Sequence, residues 1–158
     1  MIAETHTYFT YNTPVGHITI ASDGKALTHV TLGEQALPGI KKATKLTNSA
    51  ANEIQEYLAG KRTVFDLPLA SRGTEFQHQV WSALQAIPYG QTSSYRDIAQ
   101  AIGKPAAFRA VGGAINKNPL AIVVPCHRVV GAGGKPIGSA GGLKTKEFLL
   151  NLEKKSQE

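Results

Sequence analysis

The chain contains a single cysteine, Cys126, and this limits how a sequence of 158 residues can be held together. One cysteine cannot form an internal disulfide, and the adjacent His127 does not give a Cys/His spacing typical of zinc sites. The fold must therefore rest on a hydrophobic core, for which 42% hydrophobic and 18% charged residues are sufficient. We expect one ordinary domain or two small ones.

The cysteine lies in an unusual local sequence. It follows the apolar run 120–124 and Pro125, and His127 and Arg128 come directly after it. A thiol becomes a strong nucleophile only as the thiolate, which basic or cationic neighbours favour. A free cysteine is more often a buried structural residue, but the Pro-Cys-His-Arg context favours a reactive thiol.

The charge of the chain is concentrated in its second half. The formal net charge is +6 and the isoelectric point is about 9.5. Residues 1–73 hold seven Lys/Arg against six Asp/Glu, whereas residues 74–158 hold ten against five. A basic segment is expected of nucleic-acid binding, although charge alone fits a merely basic soluble protein equally well. No apolar run reaches the roughly 18 residues of a membrane span, and no secretory signal is recognisable, so we expect a cytoplasmic protein without a membrane partner.

Residues 1–72 are predicted to form a small α/β domain. Alternating polar and apolar residues, separated by turns at 12–16 and 22–25, predict a small antiparallel sheet. A helical pattern then runs from Asn48 to Ala59 and ends at Gly60. The predicted strands are 7–11, 17–21 and 26–32.

Residues 73–158 are predicted to form an α-rich domain. Thr74 is a plausible N-cap for a helix that ends at Ala86. Ser93 or Ser94 caps a helix through Ile102, and a second short helix follows at 106–116, so the pair predicts a helix-turn-helix. A glycine-rich loop at 131–142 precedes a terminal helix at 144–152.

The second domain resembles the O6-alkylguanine-DNA alkyltransferases, also called methylated-DNA–protein-cysteine methyltransferases. The resemblance covers about residues 73–153 closely, through several motifs in the family's order. Residues 1–72 resemble the family's variable N-terminal domain only loosely. The matching segments are Gly73-Thr74-Glu75-Phe76-Gln77, Val80-Trp81, Ile87-Pro88-Tyr89-Gly90, Ser94-Tyr95, Arg109-Ala110-Val111-Gly112, Asn118-Pro119, Pro125-Cys126-His127-Arg128-Val129, Gly141-Gly142-Leu143 and Leu149-Leu150 through Glu153.

The resemblance implies direct reversal of DNA damage. In this family the cysteine takes the alkyl group from O6 of guanine, and O4-methylthymine is a further candidate lesion. The protein is alkylated irreversibly and is consumed stoichiometrically. The implied partner is double-stranded DNA carrying O6-alkylguanine, and the implied protein is a monomer that needs no cofactor and no metal.

The resemblance also implies roles for five catalytic residues. Cys126 is the nucleophile of a displacement at the alkyl carbon. His127, acting through water and held by Glu153, draws off the thiol proton. Tyr95 hydrogen-bonds the extruded base and crowds the adjacent phosphate, and Asn118 orders the turn that carries the cysteine. Without the resemblance, Glu153 would be taken for an exposed charge near a helix end.

The implied DNA-binding residues are Arg109, Ala110, Tyr95 and Arg128. Chemistry on a base requires that the base leave the stack, and the family inserts an arginine, here Arg109, through the minor groove. Small residues on the same helix suit a shallow groove, although tight helix packing explains them equally well. Four cations are candidate phosphate contacts, although each of them fits a solvated surface residue better: Arg96, Lys104, Lys117 and Lys144.

The implied base and alkyl pocket contains Val129, Ser139, Ala140 and Gly141. Ser139 departs from the family, which usually has a tyrosine or another bulky residue there, so the preference for alkyl size is open. Phe108 departs as well, because a smaller residue usually precedes the arginine. A phenylalanine there either wedges base steps or packs inward.

Three other classes of protein fit parts of the sequence. A non-enzymatic lesion-binding protein would share the helix-turn-helix and the pocket, but Cys126 argues against it. A helix-turn-helix regulator would not need the Pro-Cys-His-Arg segment and would usually dimerise. A cysteine hydrolase generally has its histidine far from its cysteine in sequence.

Overall fold

A computed structural model describes residues 5–134 and 142–156 of the chain. The chain divides into two compact units. The first consists of Met1–Arg72 with Pro119–Val123, and the second of Gly73–Asn118 with Val124–Glu158. The segment Pro119–Val123 thus belongs to the first unit although it follows most helices of the second in sequence.

The first unit is built on a four-stranded sheet in the order β3-β2-β1-β4. Strands β1, β2 and β3 pair antiparallel, as the alternation predicted. The short β4 pairs parallel with β1 and makes the sheet mixed. Two residues are too few to show an alternating pattern, so β4 could not be predicted from the sequence. The strands are Thr7–Thr13 (β1), Gly16–Ser22 (β2), Leu27–Leu32 (β3) and Ile40–Lys41 (β4).

Helix α1, Lys45–Leu58, packs against β1 and β2. The core contains Ile18 and Ile20 of β2 and Ile54 of α1, all fully buried. The helix begins three residues before the predicted Asn48, because Thr44 and Thr47 form a reciprocal capping box that the apolar pattern does not reveal.

The segment Pro119–Val123 joins the sheet at β3. Val30 N donates to Pro119 O at 2.8 Å, and Ala121 N donates to Val30 O at 3.0 Å. The buried Ile122 then has φ 71°, and Val123 N donates to Ala121 O at 2.8 Å across it. A β-branched residue rarely adopts this left-handed conformation, so the turn is strained.

The second unit contains four helices within its described residues. Two of them, α2 and α4, share a core that includes Val80, Leu84 and Val111. The buried Trp81 Nε1 donates to Ala114 O at 2.9 Å and so ties the two helices together. The helices are Glu75–Gln85 (α2), Tyr95–Ala101 (α3), Phe108–Asn116 (α4) and Leu143–Lys155 (α5).

Helices α3 and α4 form the predicted helix-turn-helix. Ser94 caps α3, and its side chain and that of Asp97 form a capping box. The turn passes through Gly103, whose φ of 76° favours glycine. A short 3₁₀ turn at Pro105–Ala107 precedes α4, so the regular helix begins two residues after the predicted residue 106.

Candidate active site

Cys126 is positioned by a tight turn of the second unit. Cys126 N donates to Val124 O at 2.8 Å across Pro125, whose φ of −79° and ψ of 65° define an inverse γ-turn. Asn118 Nδ2 donates to the same Val124 carbonyl at 3.0 Å. A short 3₁₀ turn at Cys126–Arg128 follows. Asn118 therefore lies at the turn that carries the cysteine.

The Cys126 thiol is half-buried and its charge state reflects opposing effects. Burial raises its pKa above the usual range for a thiol. A hydrogen bond from the Asn118 side chain, the positive charge of Lys146, and the backbone N–H groups of Cys126 and His127 oppose that rise. The resting sulfur is therefore a protonated thiol in surroundings that favour the thiolate once the proton leaves.

Three buried side chains form a hydrogen-bonded cluster beside the cysteine. His127 Nε2 and Glu153 Oε2 are 2.7 Å apart. Arg128 donates to both carboxylate oxygens, from Nε to Oε1 at 2.8 Å and from Nη2 to Oε2 at 3.0 Å. Because an ionised carboxylate can only accept, Nε2 of His127 carries a proton and Nδ1 is the basic nitrogen of the neutral ring.

The loop after α2 closes over this cluster. Arg128 Nη1 donates to Ile87 O at 2.8 Å, and Gly90 N donates to Glu153 Oε1 at 3.1 Å. The Tyr89 ring lies 5.7 Å from the Arg128 guanidinium carbon, within cation–π range. The loop 87–90 and the C-terminal part of α5 are thereby fixed to the segment that bears Cys126.

The sequence analysis expected Arg128 to bind DNA, and the position of its side chain contradicts this expectation. Its side chain is buried, and its guanidinium donates to Glu153 and to the Ile87 carbonyl instead of facing solvent. The physical reason is Glu153, whose buried charge requires a cationic partner. The expectation that Glu153 would meet His127 agrees with the geometry.

His127 is held in its neutral form. Burial lowers its pKa below the usual range, and the positive charges of Arg128 and Lys146 act in the same direction. The hydrogen bond and negative charge of Glu153 oppose the shift. A neutral imidazole oriented by a carboxylate can accept a proton and then be stabilised as the cation.

Lys146 is a site residue that sequence reasoning missed. It is only 3% exposed, and it shares one face of α5 with the buried Leu149 and Glu153. Spacings of three and four residues align side chains along a helix, so this face was readable in the sequence. A lysine in such a stripe is commonly taken as solvated, and for that reason the signal was overlooked. Its positive charge acts on Cys126, and burial lowers its own pKa.

Tyr95 is the first residue of α3 and is half-buried. Its ring packs close to α4, where a β-carbon at Gly112 would lie 3.7 Å from it. Burial raises the pKa of the phenol, and the charge of Cys126 acts in the same direction. Tyr95 therefore keeps its proton and is available as a hydrogen-bond donor near the cysteine.

The pocket residues are only partly described. Val129 is fully buried, and the backbone on either side of it pairs with Ser93, which donates to Arg128 O and accepts from Val130 N, both at 2.8 Å. The expected pocket residues Ser139, Ala140 and Gly141 lie outside the described residues.

Helix α4 presents a small exposed face with one arginine. Arg109, Ala110 and Gly113 are exposed, whereas Val111 and Ala114 are buried. Such a face can approach a nucleic-acid groove closely. Among residues 5–134 and 142–156, no three His, Cys, Asp or Glu side chains are grouped to hold a metal ion, and no helix is long and apolar enough to cross a membrane.

Two family models match the sequence. Residues 75–155 match the DNA binding domain of 6-O-methylguanine DNA methyltransferase, and residues 7–71 match its ribonuclease-like domain. The methylated-DNA–protein-cysteine methyltransferase of Methanosarcina barkeri is 46% identical over 155 residues, which span 92% of this chain and 96% of the relative. The constitutive enzyme of that name from Bacillus subtilis is 43% identical over 156 residues, spanning 93% and 94%.

A solved structure is similar over nearly the whole chain. The crystal structure of Mycobacterium tuberculosis OGT in complex with DNA superposes with a TM-score of 0.89 at 46% identity. The superposition covers 95% of this chain and 94% of that one. The similarity therefore extends over both units.

Proposed function

The chain belongs to the 6-O-methylguanine DNA methyltransferase family, and from this membership we propose how its own residues carry out the reaction. The protein binds DNA and repairs it directly, by moving a methyl or other alkyl group from O6-alkylguanine onto a cysteine of its own chain. The sequence contains one cysteine, so the acceptor is Cys126. This observation carries the assignment of the site.

The proposed reaction is a displacement at the alkyl carbon. The Sγ–H proton of Cys126 passes through a water molecule to Nδ1 of His127, and the sulfur attacks as the thiolate. The S–C bond forms as the C–O6 bond breaks, and the electron pair of that bond stays on guanine. Guanine takes up one proton, so the thiol proton is in effect exchanged for the alkyl group. The thioether product cannot expel the group again, and each molecule acts once.

The other buried side chains are proposed to prepare the proton transfer. Glu153 orients His127 and stabilises the imidazolium that forms. Arg128 fixes Glu153 and is a positioning residue. Lys146 supplies a positive charge that favours the thiolate of Cys126. Cys126 and His127 are neighbours in the chain. The other three residues, Glu153, Arg128 and Lys146, are proposed to hold them in the arrangement that proton transfer needs.

The DNA-binding surface is proposed to lie on α4 and at the start of α3. The lesion must leave the base stack to reach Cys126. Arg109, exposed beside the small residues Ala110 and Gly113, is suited to fill the space left in the duplex. Tyr95, a protonated phenol near the cysteine, is suited to donate a hydrogen bond to the extruded base.

The remaining proposals concern the lesion pocket and the state of the protein. We propose that Val129, Ser139, Ala140 and Gly141 enclose the base and the alkyl group, with O4-methylthymine as a further lesion. The protein is proposed to act as a monomer in the cytoplasm, since one molecule contains one acceptor and the thiol requires a reducing compartment.

Intact-protein mass spectrometry tests this function directly. The protein is mixed with a duplex carrying one O6-methylguanine, and its peptides are then mapped. One methyl group per protein, confined to Cys126, is expected. Cys126→Ala should bind the same duplex without any gain in mass. Tight binding of the damaged duplex by the wild type without methyl transfer would instead identify a lesion-binding protein, and methyl transfer by Cys126→Ala would refute the mechanism.

A further inference from the structure

Two successive residues at the start of α3 pack against the first two turns of α4. The Tyr95 ring lies near Gly112, and the Arg96 guanidinium carbon lies 5.2 Å from the centre of the Phe108 ring. Phe108 and Gly112 are one helical turn apart and share a face of α4. The contact between Arg96 and Phe108 thus joins the helix start that carries Tyr95 to the helix start that carries Arg109.

The exposure of the two side chains distinguishes between the possible roles of Phe108. Phe108 is half-buried and lies against a guanidinium, whereas Arg96 is exposed. A residue that wedges between base steps must present its apolar end to the DNA. Phe108 instead offers a ring face on which a planar cation can rest, which is the stacking that arginine favours.

The guanidinium of Arg96 also has N–H groups that form no ion pair with a carboxylate in the described residues. The nearby carboxylate of Asp97 accepts from Ser94 N at 3.2 Å as part of the cap of α3. A guanidinium that lies over a ring face keeps its N–H groups in its own plane and directs them outward, where they can match two oxygens of a phosphate.

We propose that Arg96 binds a phosphate of the DNA backbone, and that Phe108 is the platform that holds its guanidinium in place beside Arg109. The proposal rests on the proposed function, because it assumes that the exposed face of α4 meets DNA. It assigns a purpose to the phenylalanine that this chain carries where a smaller residue is usual. Arg96 and Phe108 are positioning residues for DNA and take no part in the alkyl transfer itself.

Salt dependence of binding tests the role of Arg96. The affinity of the intact protein for an undamaged duplex is measured by fluorescence anisotropy over a series of salt concentrations. Loss of one phosphate contact should reduce the slope of log K against log salt by about 0.9, which is about an eightfold weaker affinity near 0.1 M salt. Arg96→Ala should show this change. Lys61→Ala, which removes an equal charge from an exposed position in the first unit, should leave the slope unchanged.

A double-mutant cycle tests the platform. Phe108→Leu should weaken binding about two- to fivefold when Arg96 is present, the range expected for an exposed cation–π contact. The same substitution should have little effect in Arg96→Ala, because the guanidinium it supports is absent. Equal losses in both backgrounds would mean that Phe108 contacts DNA itself, and would overturn the platform.

The alkyl-transfer reaction separates this proposal from the function on which it rests. Transfer from the free base O6-methylguanine should proceed at the wild-type rate in Arg96→Ala, since this substrate has no phosphate. A loss with the free base equal to that with duplex would indicate a disturbed active site and overturn the role of Arg96. If Arg96→Ala matched Lys61→Ala while the wild type bound and repaired duplex, only this inference would fail. If the wild type neither bound nor repaired duplex, the proposed function would fail.

Discussion

Glu153→Gln is the substitution that most directly tests the buried cluster. It keeps the size of the side chain and removes its charge. In the native protein, Oε1 accepts from Arg128 Nε and Gly90 N, and Oε2 accepts from Arg128 Nη2 and His127 Nε2. Each oxygen therefore faces two donors. Whichever way the amide is turned, its NH₂ group meets two N–H groups, one of them from Arg128.

The cost follows from the contacts that are lost. Two hydrogen bonds disappear, and hydrogen bonds to charged groups contribute about 1.5–3 kcal/mol each. The buried Arg128 also loses its counter-charge, and breaking a buried ion pair typically costs about 3–5 kcal/mol. We expect the free energy of unfolding to fall by about 3–5 kcal/mol, which is a large share of the roughly 5–15 kcal/mol of a typical domain.

Urea denaturation and single-turnover transfer measure the two consequences. Glu153→Gln should unfold at a lower urea concentration, and its transfer rate should fall by about 10²-fold or more because His127 loses its orientation. Glu147→Gln, on the exposed side of the same helix, is the matched control and should change neither quantity. A loss of less than about 1 kcal/mol with a normal transfer rate would refute the account of the cluster.

Three further predictions concern charge and DNA. Lys146→Met should raise the pKa of Cys126 further, so that iodoacetamide labelling of Cys126 reaches half its maximal rate at a higher pH. The control Lys144→Met, at an exposed position of the same helix, should leave that pH unchanged. Because burial lowers the pKa of His127, the unfolded chain binds its proton more readily. Stability should fall as pH drops below about 6.5, by at most about 1.4 kcal/mol per pH unit, and His127→Asn should remove that slope in urea titrations. Arg109→Ala should slow repair of duplex more than transfer from free O6-methylguanine, and equal losses would contradict its insertion into DNA.

Local signals in the sequence predicted most of the fold. Thr74, and the pair Ser93 and Ser94, marked two helix starts in the sequence. In the structure Thr74 and Ser94 are the caps, and each forms a capping box, with Gln77 and with Asp97. Alternation marked the three antiparallel strands. Strand β4 was not predictable, because its pairing with β1 depends on contacts distant in sequence. The position of Pro119–Val123 beside β3 was hidden for the same reason.

The part of the candidate site that could be predicted from the sequence is the pair Cys126 and His127, whose side chains carry the chemistry. Cys126 and His127 are adjacent in sequence, so their proximity could be predicted without knowledge of the fold. Glu153 lies far along the chain, and only the resemblance related it to His127. The sequence placed Arg128 among the DNA-binding residues, but its side chain is buried and pairs with Glu153, a contact that the sequence does not reveal. The role of Lys146 could not be predicted either, because whether a lysine is buried depends on the residues that surround it in the fold.

The charges around Cys126 explain why burial of the nucleophile is compatible with its reactivity. Burial makes it costly to create the thiolate alone or the imidazolium of His127 alone. In the proposed reaction, transfer of the proton from sulfur to His127 creates both together, so the net charge of the buried cluster does not change. The new negative charge forms where Lys146 favours it, and the new positive charge forms against Glu153. Arg128 donates to both oxygens of Glu153 and holds the carboxylate in place before the transfer, so that it does not have to reorganise during it. In the proposed mechanism, the site thus holds an unreactive thiol until a base leaves the stack, which suits a protein whose one cysteine can be used once.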